Sequence, residues 1–435
     1  MNTSVLNIAK YYVNFSVFLF LVLSVAFQGS YAISGAVLVS SYVFLFSAQV
    51  REKIALTNIE KGLIAVLIMY LVSNILEVVF YDVAISKIDP QSKILAFIPL
   101  IFVLNAVKIN VLTTILGLGV GALGLFILAI YEKYYLGLGR VGLNINAIQL
   151  GNIALAFGLL TIVLSPIIYA VKLHSESILK KRCKLAALIC VILGFLSIIA
   201  SILTLTRGGL VFVPILLVVV SFYYLAQIKH YFKQLLILTV LAGAVIALVI
   251  PSTSIVSRVE VAIKNVESYF VEGNATTSSG IRLELWKAAA IITMDNPVLG
   301  IGEKQYMKEK KKLIEQGQID PIVLNFGHSH NAYFYAAVRR GGVGLLILLA
   351  LLFYPVLVAH QEIKHHIKSS HPQAVKAPAV ALLVFGLFFI FANLTQTLFA
   401  HNSGMIMYTG ILIILTSLML AVREKEFIQT LYIKH

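Results

Sequence analysis

"RRGGVGLLILLALLFYPVLVA" occupies Arg339–Ala359, and after its two arginines it contains no charged residue. An apolar run of about 18 residues or more is long enough to cross a hydrocarbon core of roughly 30 Å as a helix. Lipid offers the backbone no hydrogen-bond partners, so a single span of this kind must be helical. The stretch therefore predicts a transmembrane helix over 341–359 with a basic flank outside the membrane.

Comparable apolar runs recur along the chain, which has 435 residues, 60% of them hydrophobic and 12% charged. A soluble domain could not bury that much apolar surface. We expect an all-α, polytopic integral membrane protein with about twelve transmembrane helices, the fourth of them short. The predicted spans are 12–28, 31–48, 62–80, 93–107, 111–131, 147–171, 185–204, 209–228, 234–251, 341–359, 377–398 and 403–421.

Lysine and arginine residues are distributed unevenly between the short loops, and most fall in one alternate set that includes Lys180–Lys184. The positive-inside rule makes this set and both termini cytoplasmic. Residues 1–251 then hold spans one to nine, 252–340 form one large periplasmic loop with short helices, and 341–435 hold the last three spans and a cytoplasmic C-terminus. The net charge of +15 fits this topology and contact with anionic membrane lipids, so no nucleic-acid partner is expected.

Polar residues gather where predicted spans meet the outer face. "TRGGL" places Arg207 between spans seven and eight. Such an arginine either extends to the lipid headgroups or binds a ligand that approaches over the two glycines. Arg140 and Asn144 stand before span six. Amide groups there either hydrogen-bond sugar hydroxyls or pair between helices.

The outer loop contains "GIRLELWKAAAIITMDNPVLGIGEKQY", residues 280–306. Its pattern predicts a helix that begins near Ile281, is capped by Ser278 or Ser279 and ends at Asn296. The apolar face predicts that this helix lies on the membrane surface, with Trp286 at the interface.

Two basic features of the same loop have alternative interpretations. Arg282 falls in the first turn of the predicted helix, where the helix dipole disfavours a cation. It therefore either faces an anion or is a solvated surface residue. The run Lys308–Lys312 either contacts phosphates of a substrate or is solvated.

"HSHNAYFYAAVRRGG" begins at His328 and ends the loop. Asn331 is placed to cap the next helix, and Arg339 and Arg340 follow roughly two to three turns later. An imidazole suits proton transfer near neutral pH, although two solvated histidines would give the same pattern. No Cys, Asp or Glu stands beside them, and the chain lacks a DxD pair, a Walker loop, GxSxG and HExxH, so we expect no metal and no cofactor.

The order of three motifs resembles the O-antigen ligase and polymerase superfamily of bacterial membrane glycosyltransferases. These motifs are "TRGGL", the segment with Arg, Trp and Pro-x-x-Gly-x-Gly, and the His-Asn before a Gly-rich span. The resemblance covers residues 140–350. Twelve predicted spans and one large outer loop between spans nine and ten look most like the ligase group. A polymerase is the first alternative. A polysaccharide-lipid flippase or exporter ranks lower, because the polar residues lie at one membrane face.

The resemblance implies transfer of O-antigen polysaccharide from undecaprenyl diphosphate to the lipid A core, at the periplasmic face of the inner membrane. By motif it assigns the essential roles to Arg207, Arg282 and His330, and His328 remains a second candidate for the base. Without a metal, guanidiniums would bind the diphosphate, and a neutral imidazole would take the proton of the acceptor alcohol. The further candidates for contacting donor or acceptor are Arg140, Asn144, Asn331, Arg339 and Arg340.

Overall fold

The computed structural model describes residues 4–24, 26–142, 145–170, 177–206, 215–216, 219, 252–368 and 376–422. Within these ranges the chain is helical and contains no β-strand, which confirms the all-α fold. The helices are α1 (Val5–Leu23), α2 (Ser30–Val39), α3 (Ala48–Arg51), α4 (Asn58–Phe80), α5 (Asp89–Val107), α6 (Val111–Ile130), α7 (Ala147–Ala170), α8 (Ser177–Leu203), α9 (Ser252–Glu272), α10 (Ser278–Asp295), α11 (Gly302–Glu315), α12 (Ala332–Lys368), α13 (Ala377–Thr395) and α14 (Asn402–Val422). Short 3₁₀ turns lie at Ser40–Phe46, Ile85–Ile88, Pro321–Asn325 and Leu398–Ala400.

Nine helices in the described ranges are long and apolar enough to cross a membrane. The predicted second span corresponds to the shorter apolar helix Ser30–Phe46. The predicted fourth span is longer than expected, because its helix begins at Asp89. The predicted spans 209–228 and 234–251 fall almost wholly outside the described residues, so the count of twelve stays a prediction.

Side-chain capping explains where several of these helices begin. Thr57 and Glu60 form a reciprocal capping box at the start of α4, which satisfies two backbone donors that have no partner within the helix. The Asn110 side chain accepts hydrogen bonds from the N–H groups of Leu112 and Thr113 at the start of α6. These polar contacts fix helix ends that periodicity alone locates only approximately.

The centre of the bundle is formed by α7, α13 and α14. All of the most apolar stretch of α14 is buried, against one third of the corresponding stretch of α1. Helices on the outside show large apolar side chains on the surface, such as Phe15 and Leu116, as expected for faces in contact with lipid. The bundle is therefore built around its last described helix.

Close backbone approach packs α7 against α8. A Cβ atom on Gly158 would lie 2.6 Å from the carbonyl oxygen of Gly194, and one on Gly194 would lie 2.7 Å from that of Gly158. Small residues permit such contacts between membrane helices, where dispersion contacts rather than the hydrophobic effect drive association. A larger residue at either position would separate the two helices.

The segment between α9 and α12 has an apolar core of its own, distinct from the core of the bundle. Leu285 and Ala289 of α10 and Tyr306 of α11 are fully buried in it. The predicted apolar face of α10 therefore packs on protein, and the expectation that this face lies on the membrane is wrong. The helix starts earlier than expected, with Thr277 as its N-cap in place of Ser278 or Ser279, and ends before Asn296 as predicted.

Candidate functional site

The helix that carries the candidate site begins directly after the two histidines. The Asn331 side-chain oxygen accepts hydrogen bonds from the N–H groups of Tyr333 at 2.9 Å and Phe334 at 3.2 Å. The sequence prediction that Asn331 caps this helix is thereby confirmed. Because the Asn331 side chain bonds to the first turn of its own helix, it fixes the start of α12 and the position of His330 before it.

His330 adopts a left-handed backbone conformation with a φ angle of 52°. This region is sparsely populated by residues other than glycine and persists where surrounding contacts enforce it. The backbone N–H of His330 donates to Nδ1 of His328 at 3.3 Å. On one side of His330, Trp286 Nε1 donates to the carbonyl oxygen of Ser329 at 3.0 Å.

Trp286 belongs to this contact. Its ring stacks on Phe334 with centroids 6.0 Å apart, and its indole N–H is bonded to the histidine segment. Trp286 thereby joins α10 to the start of α12, and its position relative to the membrane stays a prediction.

The two imidazoles touch each other, with ring centroids 4.3 Å apart. Burial, followed by the charges of His330, His401 and Lys310, lowers the pKa of His328 to about 4. Burial and the Arg282 guanidinium lower the pKa of His330, whereas a side-chain hydrogen bond with Gln396 acts in the opposite direction. Both rings are consequently neutral near pH 7.

Nδ1 of His330 is buried and has no hydrogen-bond partner among the described residues. A buried polar atom without a partner is unfavourable by roughly 1–3 kcal/mol. Groups of this kind in a native fold call for an explanation such as a catalytic role. In the tautomer that carries its proton on Nε2, this nitrogen has a free lone pair and can take a proton.

Arg282 is half-buried on α10 and acts electrostatically on His330. Two of the three residues that the motifs single out are thus brought together. Arg207 and Asn144 lie outside the described residues. Arg140 is exposed, and its Nε donates to the carbonyl oxygen of Thr204 at 3.0 Å. Thr204 is close in sequence to Arg207.

Lys310 is fully buried, although its neighbours in the Lys308–Lys312 run are solvated or half-exposed. Its Nζ donates to the carbonyl oxygens of Val323 at 3.0 Å and Phe326 at 2.6 Å. Burial lowers the pKa of this ammonium to about 8. Lys310 therefore supports the chain just before His328, and neither sequence interpretation of the run applies to it.

Arg339 and Arg340 meet carboxylates of this chain. Arg339 Nε lies 2.6 Å from Glu77 Oε1, and its Nη2 lies 3.7 Å from Glu303 Oε2. Arg340 Nε lies 4.0 Å from Glu77 Oε2. Both arginines are buried, so this geometry gives no support to the expectation that Arg339 contacts donor or acceptor.

Arg340 also lines a small cavity of about 30 Å³ together with Gln91 and Thr397. Within the described part of the chain, Arg340 Nε and Nη1, Gln91 Oε1 and Thr397 Oγ1 have no hydrogen-bond partner. A cavity of this size holds about two water molecules. The expectation that Arg340 contacts donor or acceptor therefore has no support here either, and it stays a prediction.

The Pro-x-x-Gly-x-Gly turn docks on a break in α12. Gly341 has a φ angle of 62°, which interrupts the helix, and the N–H of Gly342 donates to Pro297 O at 2.7 Å. Ile301 N–H donates to Val338 O at 2.9 Å on the other side of the break. A Cβ atom on Gly341 would collide with the backbone of Val298. The Pro-x-x-Gly-x-Gly turn and the Gly-rich segment of α12 therefore pack directly against each other.

Sequence reasoning missed Gln396, His401 and Lys310. Gln396 and His401 lie in the connection between α13 and α14, far from the histidine motif in sequence. For Lys310 a signal existed: it is four residues after the buried Tyr306 and on the same helix face, and its ammonium lies 4.7 Å from that ring centre. No cluster of three or more His, Cys, Asp or Glu side chains suited to a metal occurs in the ranges that the structure describes.

Comparison with known proteins bears directly on this site. Residues 192–349 match a family model described as O-antigen ligase, and this range includes Arg282, His328 and His330. The chain is also similar to a Haemophilus influenzae protein described only as uncharacterised, with 27% identity over 380 residues, 86% of this chain and 90% of that protein. The resemblance deduced from the motifs is confirmed by the family match.

Proposed function

We propose that this O-antigen ligase-type membrane protein transfers O-antigen polysaccharide from undecaprenyl diphosphate to the lipid A core during lipopolysaccharide biosynthesis. The family match supports a glycosyltransferase-like enzyme of the ligase and polymerase kind. The observation that carries the assignment is His330: a half-buried imidazole, neutral at working pH, whose Nδ1 is buried and unpartnered among the described residues and on which the Arg282 charge acts.

The proposed reaction uses one general base and two cationic side chains. The acceptor hydroxyl oxygen forms a bond to the anomeric carbon, and the bond from that carbon to the diphosphate oxygen breaks with its electron pair. His330 takes the hydroxyl proton. Arg207 and Arg282 stabilise the charge on the departing diphosphate, because forked guanidinium donors match phosphate oxygens.

Direct displacement in this scheme inverts the anomeric carbon. A diphosphate is a good leaving group, so charge stabilisation is needed more than a general acid. No nucleotide is required, because the diphosphate–sugar bond supplies the driving force. The proposed mechanism uses no metal and no other cofactor.

The lowered pKa of His330 favours its proposed role. Burial and the Arg282 charge disfavour the imidazolium, so the ring is available as a base at neutral pH. Arg282, whose charge acts on the same ring, is the proposed partner of the donor diphosphate. We place the site at the periplasmic face of the inner membrane, with both termini cytoplasmic and with lipid-linked donor and lipid A core acceptor as partners.

The alternative is an O-antigen polymerase, which uses another O-antigen unit as acceptor. The family match supports ligases and polymerases alike. A deletion strain separates them. Loss of a ligase leaves lipopolysaccharide without O-antigen and accumulates long polymer on undecaprenyl diphosphate, whereas accumulation of single repeats on the carrier would identify a polymerase.

The direct test uses purified protein in detergent, an undecaprenyl diphosphate-linked glycan and a truncated lipid A core. We expect a glycosylated core and released undecaprenyl diphosphate. Transfer without two compartments excludes a flippase or exporter as the sole activity. A preparation that binds the donor but elongates only other donor-linked glycans would contradict the ligase assignment.

A further inference from the structure

The two middle positions of the Pro-x-x-Gly-x-Gly turn carry large apolar side chains that face away from the protein. Val298 is 63% exposed and Leu299 is 62% exposed. Their backbone carbonyls are held, because Val343 N–H donates to Val298 O at 3.2 Å and the Tyr81 hydroxyl donates to Leu299 O at 3.1 Å. The turn is therefore anchored through its backbone, and its two apolar side chains lie on the outer surface.

The two anchoring residues adjoin helices that are long and apolar enough to cross a membrane. Tyr81 directly follows α4, and Val343 lies two residues after the break of α12 at Gly341. These helices pack against each other, since the Tyr354 hydroxyl donates to Ile59 O at 2.6 Å. The turn therefore lies where two adjacent spans meet the extramembrane segment.

Exposed apolar side chains form a stripe on each of these two helices, and both stripes lead to the turn. A residue three, four or seven positions further along a helix lies on the same face. On α12 the stripe consists of Val343, Leu346, Phe353 and Leu357. On α4 it consists of Ile68, Met69, Val72, Ile75, Leu76, Val79 and Phe80. Apolar faces of this kind on spanning helices are in contact with lipid.

We propose that the turn is a membrane-contact site, in which Val298 and Leu299 enter the acyl-chain region of the adjoining leaflet. Phospholipid hydrocarbon is the partner, because the two side chains continue two lipid-facing stripes. The contact holds the segment between α9 and α12 at a fixed depth. It falls at the end of α10, whereas the apolar face of that helix packs on protein. The inference does not depend on the reaction that the protein catalyses.

Charged side chains near the turn limit how deeply it can lie. Lys304 is paired with Asp82, and Lys87 is paired with Glu303. Asp295, the last residue of α10, is exposed. Charges are costly in hydrocarbon, whereas long cationic side chains near helix ends extend to the interface. These charged groups therefore mark the level of the lipid headgroups, and only the tip of the turn reaches the acyl chains.

Spin labels test this contact in full-length protein in nanodiscs of phosphatidylcholine and phosphatidylglycerol. The native thiols are removed by Cys183→Ala and Cys190→Ala, and one label is attached at Leu299→Cys. Oxygen concentrates in hydrocarbon, whereas nickel(II) ethylenediaminediacetate stays in water. We expect a several-fold higher ratio of oxygen to nickel relaxation for this label than for a label at Lys311→Cys, an exposed position of α11.

Leu346→Cys on the α12 stripe is the control for a label in lipid. A ratio at Leu299→Cys that approaches this control supports the proposal. A ratio equal to that of Lys311→Cys would place the turn in water and overturn the proposal. A label that neither reagent reaches would show that protein covers the turn, as in a contact between two copies, and would overturn it as well.

A second position keeps the test decisive if Leu299→Cys does not fold. Val298→Cys should give the same high ratio. Adding Leu299→Asp to the Val298→Cys protein should shift the ratio towards that of water, because a carboxylate is unfavourable in hydrocarbon. Lys308→Asp, a matched charge change at an exposed position of α11, should leave the ratio unchanged. If Leu299→Asp also leaves it unchanged, the turn is not inserted and the proposal is wrong.

Discussion

Two polar clusters flank the first turns of α12, and their contacts differ. At the start of the helix, His330 keeps a buried nitrogen unpartnered among the described residues and a strained backbone. Two to three turns later, Arg339 is paired with Glu77 and Glu303. The unpartnered nitrogen of the first cluster is suited to proton transfer. The second cluster also has atoms at Arg340 that are unpartnered in the described part of the chain, but the ion pairs of Arg339 join α4, α11 and α12.

The sharpest test of this contrast is His330→Ala. We expect transfer to fall by about 10²–10⁴-fold, the contribution of a positioned general base, while the thermal stability and donor binding stay near wild type. Transfer assays, melting curves in detergent and binding of the lipid diphosphate measure the three properties. A His330→Ala protein with normal turnover would remove the histidine cluster from the chemistry.

Glu77→Ala should act on stability. It leaves Arg339 buried without its 2.6 Å partner, and breaking a buried ion pair from one side destabilises by about 3–5 kcal/mol. We expect a marked drop in the melting temperature, with kcat per folded molecule retained. Glu303→Gln is the matched control with a smaller expected effect, because Glu303 lies 3.7 Å from Arg339. A stable Glu77→Ala protein that has lost turnover would place this cluster in the active site.

Arg282→Lys asks whether charge alone is enough beside His330. An ammonium cannot form the guanidinium fork, and a lost charge-assisted hydrogen bond is worth about 1.5–3 kcal/mol. We expect kcat/KM for the donor to fall by roughly 10- to 100-fold. Lys287→Ala, on the same helix but exposed, should remain near wild type. Full activity in Arg282→Lys would argue that Arg282 does not bind the diphosphate.

His328→Ala should have a smaller effect than any of these changes. His328 accepts the backbone N–H of His330 at 3.3 Å, and a neutral hydrogen bond of this kind contributes about 0.5–1.5 kcal/mol. We expect less than about a 10-fold loss of kcat. The reverse pattern, with His328→Ala inactive and His330→Ala active, would exchange the roles of the two rings.

Chelation should have no effect at all. The proposed mechanism neutralises the diphosphate with arginines, so we expect full transfer in excess EDTA, measured before and after addition of magnesium. If chelation abolished transfer and magnesium or manganese restored it, a metal ion would help Arg207 and Arg282 to neutralise the diphosphate.

The local sequence pattern predicted helix positions and helix caps, which depend on residues close together in the chain. Apolar runs located most helices, and Asn331 and Asn296 were placed correctly at a helix start and a helix end, because capping acts within one turn. The apolar face of α10 was recognised but assigned to the wrong environment. Periodicity shows that a face is apolar, not whether it meets lipid or protein.

The contacts that complete the site are long-range. Arg339 and Glu77 are separated by 262 positions, and His401, which affects the pKa of His330, lies after another helix. Such pairs depend on how helices pack, and neither partner has a distinctive local signature. The position of Trp286 illustrates the same limit, since an aromatic residue near a membrane satisfies the interface pattern even when its N–H is bonded to protein.

The burial of α14 has a consequence for how the protein is made. This helix is surrounded by others over its whole length, yet the ribosome synthesises it after every other helix described here. The earlier helices must therefore enter the bilayer before α14 can pack against them, and until then their inner faces contact lipid or the translocation machinery. The bundle can therefore close only after α14 has been made, and a chain cut before residue 402 would lack one of the three helices that form its centre.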